Sequence, residues 1–312
     1  MSTEGPGQRD PPDQQGGQQG GYGIRLTWLG HSTVVIDLGG VRLLTDPLLR
    51  RHVGPLVRSG SAPDRAAWRD PDAVLLSHLH HDHADLASLR RLGPVPVVTG
   101  IANRAWATRR GLTVAQPPRP SRSWPPTPTN VADDDADDDG WWSVPHPTRQ
   151  DQVTVRLVPA VHESRPMPHR PNATNGFLVR SAGATVYFAG DTSLHDQMDA
   201  LMGLAGGVID VALLPIGGWG PVLSEGHLGP QTAAEAAVRL GARFVMPVHY
   251  GTLHPWGWPR PLLGWMQSPL VAFARALHER APDTVLFTPP FGQATTVPTR
   301  PRDDGDAPVG WA

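Results

Sequence analysis

Cysteine and lysine are both missing from this 312-residue chain, in which every side chain with a fixed positive charge is an arginine. Without cysteine there are no disulfides, no thiol nucleophile and no thiolate ligand for a metal. Without lysine there is no Schiff-base chemistry and no phosphate-binding P-loop lysine. A net charge of −2 leaves no basic surplus to argue for nucleic acid. The apolar runs are too short and too interrupted to span a membrane, and the Gly/Gln/Pro-rich start has no apolar centre of the kind a secretory signal needs. The expectation is a soluble, cytoplasmic protein with no nucleic-acid partner and an open oligomeric state. With thiol and amine excluded, a metal-activated water is the natural nucleophile.

What the chain does have is histidine at ligand spacing. Ala73-Val74-Leu75-Leu76 reads as a buried strand, and Ser77 then leads into His78-Leu79-His80-His81-Asp82-His83. Residues two apart in extended chain point the same way, so His78 and His80 can grip one metal ion. Asp82 and His83 then follow on a turn toward a second. The bland reading is a solvated His-rich tract. Four ligand-type residues directly after a buried strand argue against it.

One motif supplies too few ligands for two ions, so partners are expected past other apolar runs. Val155 to Val161 ends at His162, Thr185 to Gly190 ends at Asp191, and Arg243 to Val248 ends at His249. Each run delivers one metal-capable residue at a strand's C-terminal end, where open α/β sheets place their sites. Singly, each could be a cap or a turn residue; together with the first motif they form a set.

The ordered set His-x-His-x-Asp-His, then His, Asp, His, resembles the metallo-β-lactamase superfamily over about residues 23–289. That resemblance implies His78, His80 and His162 as ligands of the first metal and Asp82, His83 and His249 as ligands of the second. It implies Asp191 as the carboxylate bridging both. Trp28-Leu29-Gly30-His31-Ser32-Thr33, Leu44-Thr45-Asp46-Pro47, Ala189-Gly190-Asp191-Thr192, Gly226-His227-Leu228-Gly229-Pro230 and Val248-His249-Tyr250-Gly251-Thr252 look like one branch. That branch includes ascorbate-6-phosphate lactonase and N-acylphosphatidylethanolamine phospholipase D.

An internal repeat points to the same architecture independently. Thr33 to Asp46 and Gly176 to Asp191 both read as hairpins ending in aspartate. Asp72 to Ser77 parallels Asp210 to Pro215, and Arg91-Leu92-Gly93 before Val95 parallels Arg239-Leu240-Gly241 before Phe244. Two halves with one element order predict an α/β fold, an αββα sandwich of two mixed sheets with helices outside. The site would lie where the strand ends of both halves meet. Helices are expected over 86–92, 231–240 after Pro230, and 269–280.

One hydrolase domain is expected over 23–292, flanked by disordered tails over 1–22 and 293–312. A Pro/Asp-rich stretch over about 117–140 lacks the alternating ligand spacing of a calcium loop and reads as a solvated insertion.

The expected activity is hydrolysis of a phosphodiester, or of an ester or lactone, by a hydroxide bridging two divalent ions. The substrate would be a small molecule or a lipid-like ester. Zn²⁺ is the first choice on ligand chemistry, with Mn²⁺ or Fe²⁺ open. The alternatives are a manganese-dependent lactonase of a sugar phosphate, a di-iron redox enzyme, and a non-catalytic module on the same fold. Asp82 is the candidate for moving the proton. His227 either donates to a substrate oxygen or is a structural loop histidine. His31 and Asp46 are candidates for orienting ligands. Trp219, His254 and Arg260 are candidates for substrate contact. Trp256 to Trp265 is either an apolar wall beside the metals, with Arg260 meeting a negative group, or a Pro-pinned loop with its tryptophans packed inward. The second is preferred.

Overall fold

The computed structural model describes residues 23–116, 140–146, 153–162, 170–171, 173–258 and 260–298, the side chains of 260–262 excepted. The N-terminal tail over 1–22, the insertion up to residue 139 and the chain from 299 onward lie outside the described residues.

The first half runs β1 (Arg25–Trp28), β2 (Val34–Leu38), β3 (Val41–Thr45), β4 (His52–Val53), β5 (Leu56–Arg58), α1 (Arg65–Trp68), β6 (Ala73–Leu75), α2 (Leu86–Arg91), β7 (Val97–Val98) and α3 (Ile101–Arg109). The second runs β8 (Trp141–Ser143), β9 (Val153–Pro159), β10 (Asn175–Ser181), β11 (Ala184–Phe188), α4 (Leu201–Leu204), β12 (Val211–Pro215), α5 (Pro230–Leu240), β13 (Phe244–Val248) and β14 (Leu253–Pro255). It closes with α6 (Ser268–Arg280), β15 (Val285–Leu286) and β16 (Ala294–Thr296).

These strands form a six-stranded sheet, β16-β1-β2-β3-β6-β7, and a seven-stranded sheet, β15-β13-β12-β11-β10-β9-β8. The repeat holds at the level of pairing. β1, β2 and β3 are successively antiparallel and β6 and β7 then add in parallel; β9, β10 and β11 are antiparallel and β12 and β13 add in parallel. In the first hairpin Leu38 pairs with Val41 across Gly39-Gly40, whose φ values of +58° and +84° are what a tight two-residue turn between right-twisted strands requires.

Side-chain alternation turns the pair of sheets into four layers. Leu43, Leu75, Val98, Phe177, Val186, Leu213 and Met246 meet in one buried cluster between the sheets. On the opposite face of the first sheet, Val74, Leu76 and Val97 pack against Leu89 of α2 and Trp106 of α3. On that of the second, Leu178, Ala212, Leu214 and Val245 pack against α5 and α6. Strands covered on both faces read as continuous apolar runs, which is why β6, β12 and β13 were visible in the sequence. Each fully buried aliphatic side chain here contributes about 1.5–3 kcal/mol.

α5 begins at Pro230 and stops at Gly241, whose φ of +56° suits a left-handed cap, and it lays alanines 233, 234, 236 and 237 into the cluster it shares with Phe273 and Leu277 of α6.

Two expectations need correction. The C-terminal tail does not begin at 293: Ala294–Thr296 pairs antiparallel with Arg25 to Thr27, and Val297 is buried in the central cluster. The Trp-rich segment does not pack its tryptophans inward at Trp256 and Trp258, which are 74% and 38% exposed. The segment follows β14, which joins β5 and β4 in a small third sheet that sequence periodicity did not reveal.

Candidate metal centre

The loop from Ser77 to Asp85 joins β6 to α2, and a tight turn shapes it. The amides of His83 and Ala84 both donate to the carbonyl of His80, at 3.1 and 2.7 Å, which folds Asp82 and His83 back toward His78. Asp85 then caps α2, accepting from the Ser88 amide at 3.0 Å, and Arg50 grips its carboxylate with two bonds of 2.8 and 2.6 Å. From the other side Arg170 donates to the carbonyls of Leu79 and Ala84 while its guanidinium lies 4.9 Å over the Trp106 ring.

The second half brings its residues to the same place. Asp191 lies three residues beyond β11 and His162 three beyond β9, while His249 directly follows β13. The halves approach so closely that a Cβ on Gly190, at φ +61°, would lie 2.6 Å from the Cβ of Ser77. Asn175 ties them further, its amide donating to the Ser77 carbonyl at 3.1 Å.

All seven sequence-derived ligand candidates converge. His80 Nδ1 lies 2.9 Å from His78 Nε2 and 3.2 Å from His162 Nε2. Asp191 Oδ2 lies 3.1 Å from His83 Nε2, 3.2 Å from His249 Nε2 and 3.9 Å from His78 Nε2. Asp82 Oδ2 is 3.6 Å from both His83 Nε2 and His249 Nε2.

On four of the histidines the ring nitrogen facing away from this centre is anchored. His249 Nδ1 donates to the Gly217 carbonyl at 2.7 Å and His162 Nδ1 to that of Gly226 at 2.9 Å. His83 Nδ1 lies 2.7 Å from Asp46 Oδ2, and His78 Nδ1 lies 2.9 Å from Ser77 Oγ. Anchoring one nitrogen fixes the ring and aims the other inward, where it offers a lone pair once deprotonated, the arrangement in which metal-binding imidazoles are held.

The donor set fits divalent metal. Asp191 Oδ1 is buried without a hydrogen-bond partner among the described residues, and His83 Nε2 and His249 Nε2, though 3.1 and 3.2 Å from Asp191 Oδ2, make no directed hydrogen bond there. Each such atom costs about 1–3 kcal/mol unless something satisfies it. Imidazole nitrogens about 2.0–2.1 Å from a tetrahedral zinc stand roughly 3.3 Å apart, close to the spacings here.

Electrostatics divide the histidines. Burial holds His78 well below the ordinary imidazole value and brings His80 down to about 4, so both are neutral lone-pair donors at pH 7. Burial also opposes charge on His83 and His249, but Asp191 and Asp82 outweigh it, raising His83 well above the ordinary value and His249 to about 9. Burial would push the Asp82 and Asp191 carboxyls up; the field of His83 on Asp82, and of His249 and His83 on Asp191, instead holds both well below the usual range.

The remaining candidates separate by position. His31 is buried at φ +53°, its amide bonded to Thr252 Oγ1 at 2.7 Å and its Nε2 lying 2.9 Å from Asp82 Oδ2. Burial takes its pKa down to about 3, so His31 is neutral and Nε2–H donates to Asp82. Asp46 is buried beneath the cluster and receives the Ser77 amide at 2.8 Å and the Ser77 hydroxyl at 2.6 Å. With His83 as well, its oxygens are already engaged. His227 is half-buried at the rim, Nε2 3.4 Å from Asp191 Oδ2 and Nδ1 3.2 Å from the carbonyls of Ser224 and Glu225. Trp219 is exposed. His254 belongs to a pocket whose lining includes none of the seven converging residues, and the Arg260 side chain lies outside the described residues. Sequence reasoning missed Arg50, Asp85 and Arg170, whose role depends on long-range contacts that carry no local signal.

Residues 41–250 match the model of the beta-lactamase superfamily domain. A UPF0173 metal-dependent hydrolase of Pyrococcus furiosus is 31% identical over 236 residues, covering 74% of this chain and 87% of that protein. Another, of Pyrobaculum neutrophilum, is 29% identical over 230 residues, covering 73% and 85%. The metallo hydrolase Igni18 of Ignicoccus hospitalis has a solved structure that matches with a TM-score of 0.60 at 22% identity, over 89% of this chain and 99% of that one, a likeness of fold.

Proposed function

The chain belongs to the beta-lactamase superfamily, with the metallo-β-lactamase fold, and from that premise we propose that it is a dinuclear metal-dependent hydrolase of a phosphodiester, ester or lactone bond. The observation that carries this reading is the convergence of buried His83 Nε2 and His249 Nε2 on Asp191, 3.1 and 3.2 Å from its Oδ2, with Asp191 Oδ1 left without a partner among the described residues. His78, His80 and His162 would hold one ion, Asp82, His83 and His249 the other, with Asp191 between them. When bound there, two divalent ions would lower the pKa of a water toward about 7 and so supply a nucleophile at neutral pH. Nitrogen-rich ligation favours Zn²⁺ over Mn²⁺ or Fe²⁺.

The chain's own groups do the rest. His31 Nε2–H fixes the rotamer of Asp82 through its 2.9 Å bond, and Asp82 takes the proton released on attack. Asp46 and Ser77 lock His78 and His83 from below. His227, facing Asp191 from the rim, is placed to meet a substrate oxygen; with Nδ1–H directed at backbone carbonyls it donates from Nε2 when protonated. The resemblance of its motifs to the lactonase and phospholipase D branch supports phosphodiester or lactone chemistry on a small or lipid-like substrate.

Metal analysis of the purified chain tests this reading, paired with turnover of bis(p-nitrophenyl) phosphate and a lactone panel after chelation and return of zinc, manganese or iron. Two ions per chain and restored turnover on one substrate class are expected. A chain that binds no metal, or that binds it without hydrolysing either class, would overturn it.

A further inference from the structure

We propose that the pocket between β5, β14 and the Trp256-Gly257-Trp258 turn is a binding site for an anionic group, phosphate or carboxylate, carried on a ring or short apolar chain.

The pocket has a volume of about 270 Å³, and among the described residues its lining includes Arg51, His52, Arg58, His254, Trp256 and Trp258 and no acidic residue. Of its two arginines, Arg58 is the buried one. That side chain is only 2% exposed, and its guanidinium bonds backbone carbonyls alone: Nε to Arg50 at 3.1 Å, Nη1 to Leu29 at 2.8 Å, and Nη2 to Leu48. Among the described residues no carboxylate forms an ion pair with it. A buried cation normally has a counter-ion, because carbonyl dipoles satisfy its N–H groups without cancelling its charge. Burial brings its pKa down to about 10, which leaves it charged at neutral pH.

Arg51, exposed at the rim, adds a second cation, and His254, almost fully buried, adds a polar face. Trp256 and Trp258 expose aromatic surface beside these cations. An apolar wall with a few convergent polar groups is the usual build of a small-ligand pocket, and planar guanidinium groups suit carboxylate and phosphate oxygens. The sequence reading placed Arg260 against a negative group beside the metals; the arginines that line this pocket are Arg51 and Arg58. The site is separate from the metal cluster and does not rest on its assignment.

The alternative is that Arg58 is purely structural, tying β5 to the turn at Leu29, so the test avoids replacing it. The full chain, with its metals, is titrated with phenyl phosphate, benzoate, benzyl alcohol and inorganic phosphate, following tryptophan fluorescence. Arg51→Glu and Trp256→Ala, both at exposed positions, are titrated alongside, with metal content and circular dichroism as checks on folding. Saturable binding of phenyl phosphate or benzoate is expected, weakened at least about tenfold in both variants at unchanged metal content, with benzyl alcohol at least about tenfold weaker than the acids. The tighter of the two acids identifies the anionic group. No saturable binding, equal binding of benzyl alcohol, or wild-type affinity in either variant would overturn the proposal; the last would place the anion at the metals instead.

Discussion

Asp72 and Asp210 occupy equivalent positions in the two halves, each immediately before an inner parallel strand and each accepting a 2.8 Å bond from the backbone amide of the neighbouring hairpin, Arg42 for Asp72 and Thr185 for Asp210. In both, the return bond runs from the aspartate's own amide to the same neighbour's carbonyl, at 2.8 and 3.0 Å. Aligned on this pair, Asp46 corresponds to Ala189 and not to Asp191: the amides of Asp46 and Ala189 donate to Leu75 and Leu213, which hold the same place on β6 and β12. The two hairpin-ending aspartates are therefore two residues out of step. Asp46 stays beneath the cluster as a support, and the Ala189-Gly190 extension carries Asp191 into it.

Asp72→Ala and Asp210→Ala should each cost about 1–3 kcal/mol by leaving a strand-end amide without its partner. The sites share no partner, so the double variant should cost the sum to within about 0.5 kcal/mol in urea unfolding. A strongly sub-additive result would reject the independence of the two halves' anchors.

Asp46→Asn should lower metal affinity about 10–100-fold without unfolding the chain. Asn tolerates the left-handed backbone at this position, where φ is +31°, and keeps one carbonyl oxygen. Its NH₂ group, however, would face the donors Ser77 Oγ and His83 Nδ1. Competition against a chelator of known affinity measures the change; wild-type affinity would show that Asp46 does not orient His83.

Metal uptake at pH 7 should release protons from His83 and His249. Both are charged in the metal-free chain, His249 up to about 9, and a ligating nitrogen must be neutral. Affinity should therefore climb as pH rises toward 9, while His78 and His80, already neutral, contribute no release. The same shift makes His249 a source of stability in the metal-free chain that is fully present below its ordinary value of 6.5 and lost as pH rises through about 9. Calorimetry in buffers of different ionisation enthalpy counts the protons; zero release would contradict the charge assignment.

Gly190→Ala should destabilise the fold by more than the roughly 1–2 kcal/mol that φ +61° alone costs, because the new methyl would overlap Ser77. Metal affinity should fall with it, since Ser77 and Asp191 flank the overlap. Thermal unfolding and metal titration of the variant check both, and a change in neither would mean that the halves can separate freely here.

Tyr187→Phe should stabilise the protein by about 1 kcal/mol. The hydroxyl is fully buried with no hydrogen-bond partner among the described residues, and burial pushes its pKa well above the phenol range. A loss of stability in urea unfolding would point to a partner for that hydroxyl.

The sequence by itself determined the two-layered repeat and the identity of the converging residues. β6, β10, β11, β12 and β13 are apolar on both faces or end at turn residues, so local pattern and burial agree, and His78 to His83 carries its spacing within one loop. The tertiary structure decided what depends on approach between distant segments. α3 escaped notice because its pattern is inverted: Ile101 is 54% exposed while Asn103 is buried, bonding Ala173 from 70 residues away. β16, β5 and β14 are too short to show a period, and their pairings join segments far apart in the chain. The same holds for the support around the centre. Whether Asp46 or Asp191 enters the cluster, whether His31 reaches Asp82, and whether Arg170 or Arg50 clamps the loop are fixed by a few ångströms of sheet register and loop closure. Residue type and spacing name the atoms able to bind metal, but only packing of the two sheets brings their lone pairs to one place.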